Sequence, residues 1–217
     1  MNLYKFLQAT VFLSATFLFF SCKPHISIKA GTNNEATILF STGFSENTAK
    51  TLKALRGANT NEPLFNKDDV LSLLKNAGAS NTSASIPSPT EITATGTLAS
   101  VSKNQLAKTG LLKKGEKSLT LTIGPAQIVA FYALLDDETK SYFDLMMIPA
   151  LIGEKMSIAE YTDLLASMYG PTFADEIING ELTISLSSPD GKKNLKKSLT
   201  LGELLTTEKE LSWKIEF

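Results

Sequence analysis

The sequence predicts an α+β fold, with an antiparallel or mixed sheet, or sheets, of about seven strands and helices packed on one face. Three patterns carry that prediction. Near both ends, short stretches alternate apolar and polar residues between turn residues, as in Ile26-Ser27-Ile28-Lys29-Ala30 and Leu182-Thr183-Ile184-Ser185-Leu186. Between Pro125 and Ile178, apolar residues recur at helical spacing behind recognisable caps. The outward positions of the strands are Ser, Thr and Lys, which marks sheets buried on one side only. With 43% hydrophobic and 20% charged residues, the balance is that of an ordinary globular domain.

The elements follow in order. Ile26, Ile28 and Ala30 share one face of a strand, and Ala36, Ile38 and Phe40 one face of the next, with Gly31 to Glu35 as the hairpin loop. Ser45 caps a helix carrying Ala49, Leu52 and Leu55, which Gly57 stops. Asn66 caps a second helix, where Phe65 can staple against Val70 and Gly78 closes the end. Residues 79–89 read as a polar, mobile loop with two prolines. Glu91 to Leu98 alternates as a third strand, with Ile92, Ala94, Gly96 and Leu98 on one face, residues 102–108 form a short helix, and Leu119, Leu121 and Ile123 mark a fourth strand. Pro125 then opens a helical block. Asp136 or Asp137 caps a helix running toward Pro149, Ser157-Ile158-Ala159-Glu160 is a capping box, and Gly170-Pro171 starts a shorter helix. Leu182, Ile184 and Leu186 give a fifth strand. Ser188-Pro189-Asp190-Gly191 turns the chain into a return strand with Leu195, Leu199 and Leu201, where Lys197 is an imperfect inward residue. Leu211, Trp213, Ile215 and Phe217 end the chain as a seventh strand.

The first twenty-two residues carry the clearest address. Lys5 is followed by a run from Phe6 to Phe20 that is almost all apolar, then by Ser21 and Cys22. A positive start, an apolar run of about 15 residues and a small residue describe a secretory signal; a spanning helix needs about 20. The segment Leu18-Phe19-Phe20-Ser21-Cys22 resembles the lipobox of bacterial lipoproteins. Ser21 and Cys22 match that pattern, Phe19 and Phe20 depart from it, and Leu18 at −4 is similar to the looser boxes of spirochaetes. The resemblance covers only the leader. It implies cleavage before Cys22, diacylglycerol on the Cys22 sulfur, an N-terminal acyl chain, and, through Lys23, outer-membrane sorting rather than inner-membrane retention. Two or more acyl chains hold a protein stably on a membrane. The expected organisation is therefore a signal peptide at 1–21, the lipidated cysteine and a short tether at 22–24, and one α+β domain at 25–217. The competing readings of the cysteine are a buried structural residue and an uncleaved anchor. With three residues between Cys22 and Ile26, a span of about 10 Å, the domain is expected to lie against the headgroups.

Chemistry is bounded mostly by what is scarce. One Cys and one His exclude an intrachain disulfide, a multi-Cys or multi-His zinc site, and the familiar Ser-His and Cys-His arrangements within one chain. A formal charge of −1 gives no reason to expect a nucleic-acid partner. The basic run from Lys192 to Lys197 reads as the solvated face of an edge strand. His25 reads as a solvated strand-entry residue. The acidic clusters Asp68-Asp69, Asp136-Asp137-Glu138 and Asp175-Glu176 lie at helix ends, where acids cap helices and complement their dipoles. The most suggestive stretch is Tyr142 to Ile152, apolar but for Asp144. Tyr142, Phe143, Met146, Met147, Ile148 and Leu151 are the candidate surface or pocket: a membrane-dipping helix, one wall of a lipid pocket, or the most buried helix of the core. Burial all round is the expectation preferred here. No cofactor is expected. The functional expectation is a non-enzymatic, lipid-anchored envelope protein that binds another envelope component, with hydrophobic-ligand binding or a carboxylate-dependent glycan hydrolase as the alternatives.

Overall fold

The structure, a computed structural model, describes residues 22–56, 62–135 and 137–217, apart from the side chains of Arg56, Glu138 and Tyr142. The leader, the stop at Gly57 and the cap at Asp136 lie outside the described residues. Nine strands form two sheets. In the larger, β1 (His25–Ala30) pairs antiparallel with β2 (Ala36–Gly43), which pairs with β4 (Glu91–Leu98), which pairs with β3 (Ser80–Ser88). On its other side β1 runs parallel to β7 (Glu181–Ser187), and β7 turns back into β8 (Asn194–Thr200). The order is β3-β4-β2-β1-β7-β8. The smaller sheet has the order β5-β6-β9, from Leu112–Gly115, Ser118–Ile123 and Leu211–Glu216. This is the predicted α+β class with a mixed sheet, and two strands more than expected, β3 and β5.

Period-two alternation puts one face of every strand inward. Ile28, Ala30, Ala36, Ile38, Leu98, Leu182, Ile184 and Leu186 from the larger sheet meet Leu112, Leu119, Leu121, Ile123 and Ile215 from the smaller one in the main core. The inner face is thus covered partly by a second sheet as well as by helices. Trp213 and Phe217 pack against this core from the last strand, so the predicted inward face of β9 is the observed one.

The helices are α1 (Glu46–Arg56), α2 (Lys67–Asn76), α3 (Gln105–Lys108), α4 (Pro125–Tyr132), α5 (Asp137–Leu145), α6 (Pro149–Ile152), α7 (Ile158–Tyr169), α8 (Pro171–Ile178) and α9 (Leu201–Leu205). The expected capping box opens α7: the Ser157 hydroxyl accepts from the Glu160 N–H, and the Glu160 carboxylate accepts from the Ser157 N–H. The Ser157 hydroxyl donates to the Glu160 carboxylate at 2.7 Å, and this bond, with that from the Ser157 N–H, holds the Glu160 carboxyl below its usual range. Asn66 caps α2 by accepting from the Asp68 N–H. Tyr161, Leu165, Phe173, Ala174, Ile177 and Ile178 make a second, helical core in α7 and α8. Met156 packs on it.

Three expectations are corrected. Of residues 79–89, Ser80–Ser88 form strand β3, an edge strand with two register shifts, not a loop. Its polar Ser/Asn/Thr composition hid it, and its Pro87 is tolerated because an edge strand leaves some N–H groups unpaired. Leu201 belongs to α9, not to the return strand: Thr200 and Glu203 form a second capping box that turns strand into helix. The stretch from Tyr142 to Ile152 is not one buried helix, as described below. Besides these, Phe65 stacks on Phe44, with ring centroids 6.1 Å apart. No helix among the described residues is long and apolar enough to cross a membrane.

Candidate functional site

Cys22 is built into the end of the larger sheet. Its carbonyl accepts from the Glu181 N–H at 3.1 Å, and the Pro24 carbonyl accepts from the Thr183 N–H at 2.9 Å, prolonging the parallel ladder of β1 and β7. Gly180 makes the approach possible. A Cβ on that residue would lie 2.9 Å from the Cys22 carbonyl oxygen and 3.1 Å from the Cys22 Cβ. The cysteine is 2% exposed. Burial pushes its thiol up to about 12, opposed by a hydrogen bond with Thr42 and reinforced by the charge of Glu176. A neutral thiol in that berth is a poor nucleophile.

Beside it, the buried carboxylate of Glu176 accepts the Ser45 N–H at 2.6 Å and the hydroxyls of Ser45 and Thr48. Those bonds tie α8 to the first turn of α1. Among the described members of the acidic clusters read from the sequence, Glu176 is the buried one, and its carboxylate is engaged by structural partners. Asp175 accepts from the Asn179 side chain, and Asp68 and Asp69 sit in the first turn of α2. Among the described residues, no group of three or more His, Cys, Asp and Glu could hold a metal ion. The Nε2 of His25 lies 3.1 Å from the Ser185 hydroxyl on the open side of the sheet.

The stretch from Tyr142 to Ile152 divides into two short helices joined by a pinned loop. α5 ends at Leu145, Met147 takes a left-handed φ of 45°, Ile148 is extended, and Pro149 opens α6. Two tyrosines of α7 hold the loop: Tyr161 donates to the Met146 carbonyl at 2.8 Å and Tyr169 to the Leu145 carbonyl at 2.6 Å. Burial raises the pKa of the Tyr161 hydroxyl, which keeps it a donor. Of the six candidates, Ile148 is buried, Met146 half-buried against the helical core, and Phe143 edge-on to Tyr132. Leu151 is half-buried, Met147 is 40% exposed, and the Tyr142 side chain lies outside the described residues. Their neighbours Leu145 and Ile152 are exposed as well, at 38% and 47%. The expectation of burial all round is therefore overturned, because Pro149 interrupts the helix and the left-handed Met147 turns its side chain to solvent. A cavity of about 130 Å³ lies between α1 and the start of α8, lined by Asn47, Thr48, Thr51, Tyr169, Pro171 and Phe173 among others. None of the six candidates lines it, and it is well below the few hundred Å³ usual for ligand pockets.

The open face of the larger sheet is a second surface, whose alignment the sequence did not reveal. One row across the strands reads Ser85, Thr93, Ser41, His25, Thr183, Ser198; the next reads Ser83, Thr95, Leu39, Ser27, Ser185, Lys196. These residues are exposed or half-exposed, and neither row contains a carboxylate. No family model, no curated protein and no solved structure matches the chain.

Proposed function

We propose that this chain is an envelope lipoprotein, anchored through Cys22, whose domain serves as a non-enzymatic binding module at the membrane surface, on the outer membrane or periplasmic side. The observation that carries the reading is the leader: Lys5, the apolar run from Phe6 to Phe20, and Ser21-Cys22 at its end. The position of Cys22 supports it, because β1 starts three residues later, leaving no long tether between membrane and domain. The binding role rests on surfaces, not on reactive groups: an apolar helical edge and a hydroxyl-rich sheet face lie open, while Glu176 is committed to capping α1. The glycan-hydrolase alternative draws no support from the acidic clusters, whose described members sit at helix ends or accept hydrogen bonds from structural partners. Hydrophobic-ligand binding draws none from the cavity beside α8, which the apolar stretch does not line.

A second reading is favoured by one observation, the burial of Cys22. A diacylglyceryl group cannot share a berth where Gly180 already meets the Cys22 backbone at contact distance. Acylation therefore requires the Cys22 side chain to turn out of that berth, while its carbonyl can keep the bond from Glu181. If it does not, the cysteine is structural and the leader is retained or cut elsewhere. Metabolic labelling of the full-length chain with an alkyne fatty acid, followed by mass spectrometry of the Cys22 peptide, separates the two. Anchoring predicts label on wild type and none on Cys22→Ala. An unlabelled wild-type chain, with a thiol that reacts with maleimide only after denaturation, would establish the structural cysteine.

A further inference from the structure

We infer that Leu145, Met147, Ile152 and Ile158 form the edge of the domain that rests against the bilayer. The inference depends on membrane attachment at Cys22. It holds whether the attachment is an acylated cysteine or the retained apolar leader, since both bring the chain out of the membrane at the same residue.

Connectivity around Cys22 places this edge. Cys22 contacts Gly180, and the Gly180 carbonyl accepts from the Leu201 N–H at 2.7 Å at the start of α9. The next residue, Gly202, approaches so closely that a Cβ there would lie 2.9 Å from a methyl of Ile178 and 3.2 Å from one of Ile158. α9 also packs on α6, which ends at Ile152, and on α7, which begins at Ile158. Those two residues therefore belong to the helices that pack on α9, and the first residue of α9 is linked to Cys22 through Gly180. Both are exposed, at 47% and 39%. Among the described residues, and apart from Leu39 on the open sheet face, the large apolar side chains left exposed belong to the segment from α4 to α7. A membrane attached at Cys22 therefore meets the part of the molecule where exposed apolar side chains concentrate.

The loop between α5 and α6 extends the edge and has a feature that solubility does not require. Met147 keeps a left-handed backbone, which is unfavourable for a non-glycine residue, while presenting its side chain outward. The hydroxyls of Tyr161 and Tyr169 hold the two carbonyls that precede it, so Leu145 and Met147 sit on a fixed support. The nearby charges are compatible with a headgroup contact: Lys155 pairs with Glu208 at 3.0 Å, and the Glu160 carboxylate is engaged by the cap of α7. Side chains of this kind gain free energy on entering the headgroup and upper acyl layer in proportion to the apolar area they bury.

The test uses the full-length chain with a single added cysteine, Met147→Cys, Ile152→Cys or, as a control, Asn194→Cys at the far end of β8. Each is labelled with a nitrobenzoxadiazole fluorophore, and the wild-type chain sets the background. The proteins are incorporated into vesicles of phosphatidylethanolamine, phosphatidylcholine and phosphatidylglycerol, with and without a phosphatidylcholine bearing a nitroxide on its acyl chain. Flotation reports attachment, and Trp213 emission reports folding. We expect the nitroxide lipid to remove most of the emission at 147 and 152 and to leave 194 unchanged. Chains that float with the vesicles but show no quenching at 147 and 152, or equal quenching at 194, would overturn the inference and leave the anchor intact. Chains that do not float would overturn the membrane attachment itself.

Discussion

At the scale of single residues, Met146 and Met147 show how far apart two neighbours with the same side chain can lie. A continuous buried helix would make both intolerant of charge. In the structure Met146 packs against the helical core, while Met147 is exposed and left-handed. Met146→Asp should therefore cost roughly 2 kcal/mol or more, through partial burial of a carboxylate. Met147→Asp should cost less than about 1 kcal/mol, as surface changes usually do. Met147→Gly should stabilise the isolated protein by roughly 0.5–1 kcal/mol, because relief of left-handed strain exceeds the added freedom of the unfolded chain. Urea denaturation of the three variants checks the order; equal losses at 146 and 147 would restore the buried-helix reading. The caps at Asn66 and Ser157 were legible because a capping box is a local sequence rule. The berth of Cys22 was not, since it is made by Gly180 and Thr42, far away in the chain.

At the scale of elements, the informative strands are the ones that the pattern missed and the one it placed last. β3 and β5 carry little apolar alternation of their own, SNTSASIPS and LKKG. β9, an edge strand like them, alternates strongly and is paired with β6 along its length, Leu211 opposite Ile123 and Glu216 opposite Ser118. Its Ile215 is buried and its Trp213 packs on the main core. Deleting Leu211 to Phe217 should therefore strip β6 of a partner and open the smaller sheet. The expected result is loss of cooperative unfolding and of native-like near-ultraviolet circular dichroism. A truncated chain that still melts in one step would show that the larger sheet is sufficient. The same logic explains β8: Lys197 pairs with buried Ile184 and so points toward the inner face, yet remains exposed at the sheet edge, a position that discourages pairing with another chain.

At the scale of the whole molecule, one ladder closes the fold. β1 and β7 are parallel neighbours separated by about 150 residues of chain, so the larger sheet is complete only when both ends of the domain have met. The helical core is tied to that closure through Glu176, which joins α8 to α1, and through α9, which follows β8 directly. Unfolding should accordingly be a single transition. Trp213 emission, reporting the smaller sheet, and far-ultraviolet circular dichroism, reporting all elements, should give coincident urea curves. Separate midpoints would instead mark the helical core as an independent unit.

What the sequence by itself determined is everything governed by near neighbours. The α+β class, seven of the nine described strands and the capped helices all follow from spacing, period and turn chemistry over a few residues. What only the tertiary structure decided is which of those elements meet. Alternation shows that a strand has an inner face but not whether a sheet or a helix covers it. An apolar run shows that side chains avoid water but not which of them reach a core. The rows of hydroxyls across six strands, the burial of Cys22 against Gly180, and the exposure of Met147 beside a half-buried Met146 all depend on contacts between segments distant in sequence. Such contacts are selected by the free energy of the assembled core, and no local pattern encodes them.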